Sequence, residues 1–541
     1  GVGLHHGADD LRRRRVDDLV TGEGARERAA FRTIADIPYL QARRRGGKTA
    51  IVTDAGDPLS YAALDDRCRR FAAFLRSRSI ASGERVALLL QNVPEFVVSY
   101  FGAISAGCVA VPVNYRLSPP EVAYILSDCA ASVVVTTSEQ FGKVAGQEGV
   151  RGVGNWLLVD GRREGSLPFG DALSPGPVSA PAPAAPDDVA VLLYTSGTTG
   201  FPKGAMISHR NTLFNVDSCR ATLGYGEEDV GLLTLPLFHV TGLHSQLVAL
   251  LACGATVVLQ KEYDTGQVLE RIARNRVTAL FFVPAIYKLF TLRNDIGRYD
   301  LSSVRIAAYG GAPMAPETIE ALNRVMPARL HNCYGLTECS SLGTVLPSEF
   351  ALTRSESVGL PVPGTEAEVR GADGGTLPPG EPGELYLRGP HIVRGYFGAP
   401  EKTREAIRDG WLKTGDIARI DGDGFIYILD RAKDMINRGG EKIYSLEVEN
   451  VLYMCPGVAE AAVFGIPHPV FGEVPAARLV PLPGATIDPE NIRAFCRARL
   501  ADYKVPVQVG IADRIPRNPG GKILKKELRR EWESRSQEEA R

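Results

Sequence analysis

Short apolar runs with no alternating polar face recur along the N-terminal half of the chain, each followed by a stretch of helical spacing. Arg85-Val-Ala-Leu-Leu-Leu90, Val109 to Val113, Ala131 to Thr136 and Trp156 to Val159 are such runs. A strand buried on both faces reads this way, and alternation with helices predicts parallel sheets covered by helices. Ile51-Val52-Thr53 opens the pattern, and Leu64 to Ser79 has helical periodicity. Residues 172–188, rich in Ala, Pro and Ser, cannot build a core and read as a surface connector. A second α/β stretch is expected after it, with strands at Val189 to Tyr194, Val257 to Leu259, Ala279 to Val283 and Arg305 to Tyr309. From about 346 the texture changes to Gly, Pro and short alternating strands such as Glu384-Leu-Tyr-Leu-Arg388 and Phe425-Ile-Tyr-Ile-Leu429. The expected fold class is therefore α/β. A charged lead-in (1–34) precedes a large N-terminal domain (35–430) of two helix-covered, mainly parallel sheets, with a small β-rich, barrel-like unit at about 346–430. A small α+β C-terminal domain (431–541) follows and ends in a charged helix near 525–538.

Charge and composition exclude several roles. Lys plus Arg total 62 against 63 Asp plus Glu, so no bulk electrostatic attraction to nucleic acid or an anionic membrane is expected. No run reaches the roughly 18 to 20 apolar residues of a membrane span. The longest, Val97 to Val113, is broken by Gly102, Gly107 and Pro112 and reads as a buried helix running into a strand. Nine cysteines occur singly, without a Cys-x-x-Cys pair, and no apolar signal core precedes residue 35. Reduced, buried thiols in a cytoplasmic protein are the expectation. The assembly is left open, a homodimer being compatible.

Tyr194-Thr-Ser-Gly-Thr-Thr-Gly-Phe-Pro-Lys-Gly204 directly follows a β run. Gly197 and its glycine neighbours permit close backbone approach, Thr195, Ser196, Thr198 and Thr199 supply hydroxyls, and Lys203 supplies a positive charge. Together they suit a polyphosphate. A Walker A loop does not fit, because Lys203 lies between Pro202 and Gly204. This loop resembles the signature of the acyl-adenylate-forming superfamily, which includes acyl-CoA synthetases, peptide-synthetase adenylation domains and beetle-type luciferases. The likeness runs from about residue 35 to about 530, with further motifs in the family's order.

Asn332-Cys-Tyr-Gly-Leu-Thr-Glu338 is similar to the family's second signature. The resemblance implies that Tyr334 stacks on adenine beside Gly335, Thr337 contacts phosphate and Glu338 holds Mg²⁺, a cation that takes one or two carboxylates plus phosphate oxygens. Tyr309-Gly310-Gly311-Ala312 resembles the strand end lying along the base, although a tight turn explains it nearly as well. Leu412-Lys-Thr-Gly-Asp416 resembles the motif whose Asp binds the ribose hydroxyls, and Arg431 matches the ribose-contacting Arg. Asp421-Gly-Asp-Gly424 fails the calcium-loop pattern and reads as a hairpin turn. Lys433 matches the hinge position. Pro516-Arg-Asn-Pro-Gly-Gly-Lys522 resembles the loop with the catalytic lysine, while Lys525, Lys526, Arg529 and Arg530 read as a solvated helix face. The implied mechanism has two steps. The acid attacks ATP to give acyl-AMP and pyrophosphate, with Lys522 and Mg²⁺ offsetting charge; the mobile C-terminal domain then turns about Lys433 and lines a thiol channel with Gly439 and Gly440.

Leu235-Pro-Leu-Phe-His-Val-Thr-Gly-Leu243 resembles the mouth of the acyl pocket, with His239 either a wall residue or a satisfied core histidine. Thr241, Gly242, Gln246, Pro284, Tyr309 and Gly310 complete the pocket candidates. The Phe-Asp pair of the family's amino-acid activators is replaced by Phe238-His239. The Arg of its malonate activators is missing after Val283-Pro-Ala-Ile-Tyr287, where Lys288 stands. A neutral medium- or long-chain aliphatic acid or an aryl acid is expected. Gly439-Gly-Glu-Lys-Ile-Tyr-Ser-Leu-Glu-Val-Glu449 and Asp502-Tyr503-Lys504-Val-Pro506 resemble CoA ligases, which makes CoA the expected acceptor, Tyr503 and Lys504 being CoA-binding candidates. A separate carrier protein is the alternative acceptor. A catalytically silent nucleotide-binding scaffold is the alternative of another class, and its mark would be loss of Lys203, Glu338, Asp416, Arg431 or Lys522. All five are present.

Overall fold

The computed structural model describes residues 31–150, 152–195, 202–312, 314–439, 441–518 and 522–539. A seven-stranded sheet runs in the order Leu167–Pro168, Asn155–Leu158, Ala131–Thr136, Arg85–Leu89, Val109–Pro112, Val189–Thr195, Lys203–Ser208. Every neighbouring pair is parallel except the last, a hairpin. A nine-stranded sheet has the order Leu360–Pro361, Thr344–Leu346, Arg329–Tyr334, Ile306–Gly310, Ala279–Phe282, Val230–Leu233, Thr256–Leu259, Thr49–Val52, Pro58–Ser60. Its centre is parallel and its edges antiparallel.

The expected strands are present, but two of them join sheets that their position in the chain does not suggest. Val189–Thr195 pairs with Val109–Pro112 and belongs to the first sheet. Thr49–Val52 pairs with Thr256–Leu259 and belongs to the second. An apolar run announces a buried strand but carries nothing that names its neighbour.

Helices seal the sheets through apolar stripes. Tyr61–Ser77 is capped by Ser60, whose hydroxyl accepts from the Ala63 N–H, and it buries Leu64, Cys68, Phe71 and Leu75. Pro94–Ser105 is buried over almost its whole length and leads into Val109–Pro112, the helix-into-strand expected for 97–113. Beyond the 3₁₀ turn Phe169–Leu173 the connector expected at 172–188 is irregular but laced to the surface, Arg69 donating to the Val178 carbonyl and Ala182 N–H to that of Ser105. All nine cysteines are buried and none forms a disulfide. No described helix is long and apolar enough to cross a membrane.

A five-stranded sheet of Glu366–Arg370, Gly383–Arg388, Trp411–Ile420, Ile407–Arg408 and Ile426–Arg431 supplies the β-rich stretch. Asp421 closes its last hairpin, its carboxylate accepting from the N–H groups of Asp423 and Phe425, as the turn reading requires. The C-terminal sheet is built on the long hairpin Val458–His468 and Gly472–Pro481, covered by helices Ser445–Tyr453, Pro489–Arg497 and Lys525–Glu539. By packing, the chain divides into a larger unit (Gly1–Ala312, Glu317–Ala367, Leu387–Lys413) and a smaller one (Pro313–Pro316, Glu368–Tyr386, Thr414–Arg541).

Candidate active site

In the larger unit the hairpin that carries the hydroxyl-rich loop sets Thr195 opposite Lys203. Ser196, Gly197, Thr198 and Thr199 lie outside the described residues. Both hairpin strands are anchored. Tyr194 donates to Asp128 at 2.5 Å, and the segment 393–397 zips along the second strand. Phe397 N–H donates to the Gly204 carbonyl (2.8 Å), Met206 N–H to that of Gly395 (2.9 Å) and Arg394 N–H to that of Met206 (3.2 Å).

The zipped segment reaches Glu338 twice. Val393 N–H donates to the Glu338 carbonyl (3.0 Å), and the Tyr396 hydroxyl donates to Glu338 Oε1 (2.7 Å). Tyr396 also presents its ring to Lys203, whose Nζ lies 5.0 Å from the centroid. Burial and the Glu338 charge push the Tyr396 phenol well above its ordinary value, so it stays a donor. Sequence reasoning passed over Tyr396, because nothing in the spacing links it to a carboxylate 58 residues away. The aromatic set inside Arg394-Gly-Tyr-Phe-Gly398 was the one available signal.

Glu338 sits in a single 3₁₀ turn, Thr337–Cys339, after strand Arg329–Tyr334. The turn is followed by Ser340 and Ser341 at φ 55° and 119°, values that L residues rarely adopt. Buried side chains hold this backbone. Ser245 donates to the Ser341 hydroxyl at 2.6 Å, Asn215 Oδ1 accepts from Leu342 N–H at 3.2 Å, and His244 lies between the Tyr100 hydroxyl (3.3 Å) and Ser340 (3.4 Å). Gly335 is required here, since a Cβ would stand 1.5 Å from the Ser341 carbonyl oxygen. Gly310 faces the same limit at 2.5 Å from that of Cys333. Gly311 has φ +83° and Ala312 ends the described part of this turn, while Tyr334 and Thr337 are half-buried.

The acyl-side candidates gather on one irregular element. Thr241–Val248 is a π-helix, a geometry that is rare and frequent at functional sites. It carries Thr241, Gly242, His244, Ser245 and Gln246. The Gln246 amide lies within 3.5 Å of the Leu232 and Phe281 carbonyls, while its Oε1 is buried without a hydrogen-bond partner. His239, just before it, is exposed and packs on the Phe238 ring, so the core-histidine alternative fails. Pro284 begins helix Pro284–Thr291, and Tyr309 is fully buried with its hydroxyl unpartnered. Burial pushes His244 down to about 3, which makes it a neutral imidazole.

In the smaller unit Asp416 and Arg431 are direct neighbours across a strand pair, with Arg431 Nε 2.6 Å from Asp416 Oδ1. Asp416 is buried and Arg431 half-buried. Lys522 is held by Asn518, whose N–H donates to the Lys522 carbonyl and whose side chain accepts from its N–H, both at 2.8 Å. Loss of solvation, then the charges of Arg431 and Lys433, push the Lys522 ammonium down to about 8 against the pull of Asp434 and Asp416. The residue as a whole is nevertheless exposed. Lys433 is exposed in the turn after Arg431. Gly439 takes φ +60° and donates to the Phe471 carbonyl, while Gly440 lies outside the described residues. Tyr503 is half-buried, and Lys504 is paired with Glu447 at 2.6 Å.

Lys525 differs from the expected solvated cation. Its side chain is 15% exposed, pairs with the buried Glu449 at 2.8 Å and donates to Ser445, which in turn donates to the buried Asp430 at 2.8 Å. Lys526 and Arg530 do face solvent.

Two family descriptions match this chain: "AMP-binding enzyme" over residues 39–397, and "AMP-binding enzyme C-terminal domain" over 447–522. The chain belongs to the AMP-binding enzyme family. It is 39% identical to a feruloyl-CoA synthase of Amycolatopsis sp, over 92% of this chain and 98% of that protein. It is 37% identical to the long-chain-fatty-acid–CoA ligase FadD13 of Mycobacterium tuberculosis, over 88% and 93%. The ATP-bound crystal structure of MatB from Rhodopseudomonas palustris superposes with a TM-score of 0.83 at 32% identity, covering 92% of this chain and 99% of that one. As a member of the acyl-CoA synthetase branch, this AMP-binding enzyme is an AMP-forming ligase that uses ATP to activate a carboxylic acid.

Proposed function

We propose that this AMP-binding enzyme converts a neutral aryl or medium- to long-chain aliphatic acid to its CoA thioester. One observation carries the choice of acid. The acyl-side element from Leu235 to Val248 holds no acidic or basic side chain except two histidines, one exposed at the mouth and one kept neutral by burial. Nothing there balances the ammonium of an amino acid or the second carboxylate of a diacid, and an unbalanced buried charge is costly. The feruloyl and long-chain fatty acid substrates in the names of two relatives agree with this reading.

In this reading Asp416 accepts from the ribose hydroxyls, Arg431 is held against it for the same sugar, and Tyr334 faces adenine. Lys522 offsets the charge that develops as the carboxylate attacks the α-phosphate. Among the described residues no group of three or more acidic, His or Cys side chains could cage a metal. A single carboxylate, Glu338, tied through Tyr396 to the strand that leaves the phosphate loop, suits Mg²⁺, which keeps its waters and takes substrate phosphates as ligands. Bound there, Mg²⁺ would neutralise phosphate charge. Gly439, Gly440, Tyr503 and Lys504 are proposed for the CoA side.

The test is AMP and thioester formation with Mg-ATP and CoA across acetate, malonate, octanoate, palmitate, benzoate, ferulate and phenylalanine. Thioester with octanoate, palmitate or an aryl acid, and little with malonate or phenylalanine, is expected. Preference for malonate or phenylalanine would overturn the acid class. Acid-dependent pyrophosphate exchange without thioester would replace CoA by a carrier protein.

A further inference from the structure

Tyr396 meets both charged candidates of the larger unit, with an anion on its hydroxyl and a cation on its face. The backbone around it is fixed independently. Its N–H donates to Thr403 Oγ1 at 2.9 Å, it bridges to Ala205, and its neighbours Arg394 and Phe397 bond to Met206 and Gly204. The phenol therefore starts from a rigid frame built on the strand Lys203–Ser208. A carboxylate on a short 3₁₀ turn can rotate about its own side-chain torsions. A charge-assisted hydrogen bond of 2.7 Å to one oxygen removes that freedom and leaves the other oxygen to meet a cation. The ring face steadies the Lys203 ammonium by its quadrupole, so that both charges keep a fixed relation to the hairpin in which Thr195 faces Lys203.

We propose that Tyr396 is a positioning residue of the adenylation site, aiming the Glu338 carboxylate at the metal of Mg·ATP through its hydroxyl and steadying Lys203 through its ring. This rests on the reading of Glu338 as the Mg²⁺ carboxylate. It assigns no reacting atom to Tyr396. The two jobs are separable, since Phe keeps the face and loses the hydroxyl, whereas Leu loses both.

The test is calorimetric titration of the full chain with ATP at a series of Mg²⁺ concentrations, without acid, and with AMP in EDTA. For Tyr396→Phe the Mg²⁺ concentration giving half of the affinity gain should rise roughly tenfold, the loss of one hydrogen bond to a charged group. AMP affinity in EDTA should move less than about twofold, which separates misaiming from misfolding. Tyr396→Leu should in addition weaken metal-free ATP roughly threefold. In a Glu338→Gln background the Tyr396→Phe shift should vanish, because the anion it orients is gone. An unchanged Mg²⁺ dependence in Tyr396→Phe, alongside a clear shift in Glu338→Gln, would overturn the proposal alone. Equal losses for AMP and Mg·ATP would reduce Tyr396 to a structural role and overturn it too. An unchanged Mg²⁺ dependence in Glu338→Gln would overturn the reading of Glu338 itself.

Discussion

At the scale of single residues the site is specified by chemistry that steric limits make hard to replace. Gly335→Ala drives a methyl group into the Ser341 carbonyl, so it should displace the Glu338 turn and weaken ATP binding at least tenfold, measured by equilibrium titration. Lys522 gives a pH prediction. With its ammonium pushed down to about 8, the charged form on which its proposed role in adenylation rests is lost as pH rises through that value. The kcat/KM of acid-dependent pyrophosphate exchange should fall above about pH 8 in the free enzyme, and Lys522→Arg, charged throughout, should flatten the fall. A rate that climbs through pH 9 in the parent enzyme would contradict it. These residues stood out as candidates because each sits in a compact run that resembles a family motif. Tyr396 was not, since its link to Glu338 is made by folding across 58 residues.

At the scale of elements, the last helix shows where charge misleads. Lys525 in a run of cations reads as solvated, yet the fold closes it over Glu449, Ser445 and Asp430. Burial raises both carboxylates, and Lys525 is a principal opposing influence. Lys525→Met leaves two buried anions without their cation, so the smaller unit should lose about 3–5 kcal/mol of stability at neutral pH. The sign with pH follows. Acids whose folded pKa is raised bind protons more tightly in the folded state, so the variant should recover stability as pH falls from 8 towards 5. Urea melts at both pH values check this; a uniform loss would exclude the carboxylates as its source. Strands and helices were legible from periodicity, because burial on one face or two leaves a direct trace. The π-helix Thr241–Val248 was not, since its wider turn requires no particular residue type.

At the scale of the whole molecule, one chain must serve two half-reactions. Lys433 follows Arg431 by two residues in an exposed turn, and Lys433→Pro would fix φ near −65° there. Pyrophosphate exchange and thioester formation from supplied acyl-AMP should then change by different factors. Changes of equal size would contradict a hinge at this position. Fold class was legible at this scale, because uniformly apolar runs between helices leave few arrangements. Sheet membership was not. Thr49–Val52 lies beside Thr256–Leu259, roughly 200 residues downstream. A ribosome adding about 5–20 residues per second would emit the first strand some ten to forty seconds before its neighbour exists. During that interval it has only the short hairpin partner Pro58–Ser60 to cover one edge. The nascent chain thus has a waiting strand, and the speed of translation through the intervening codons sets how long chaperones must shield it.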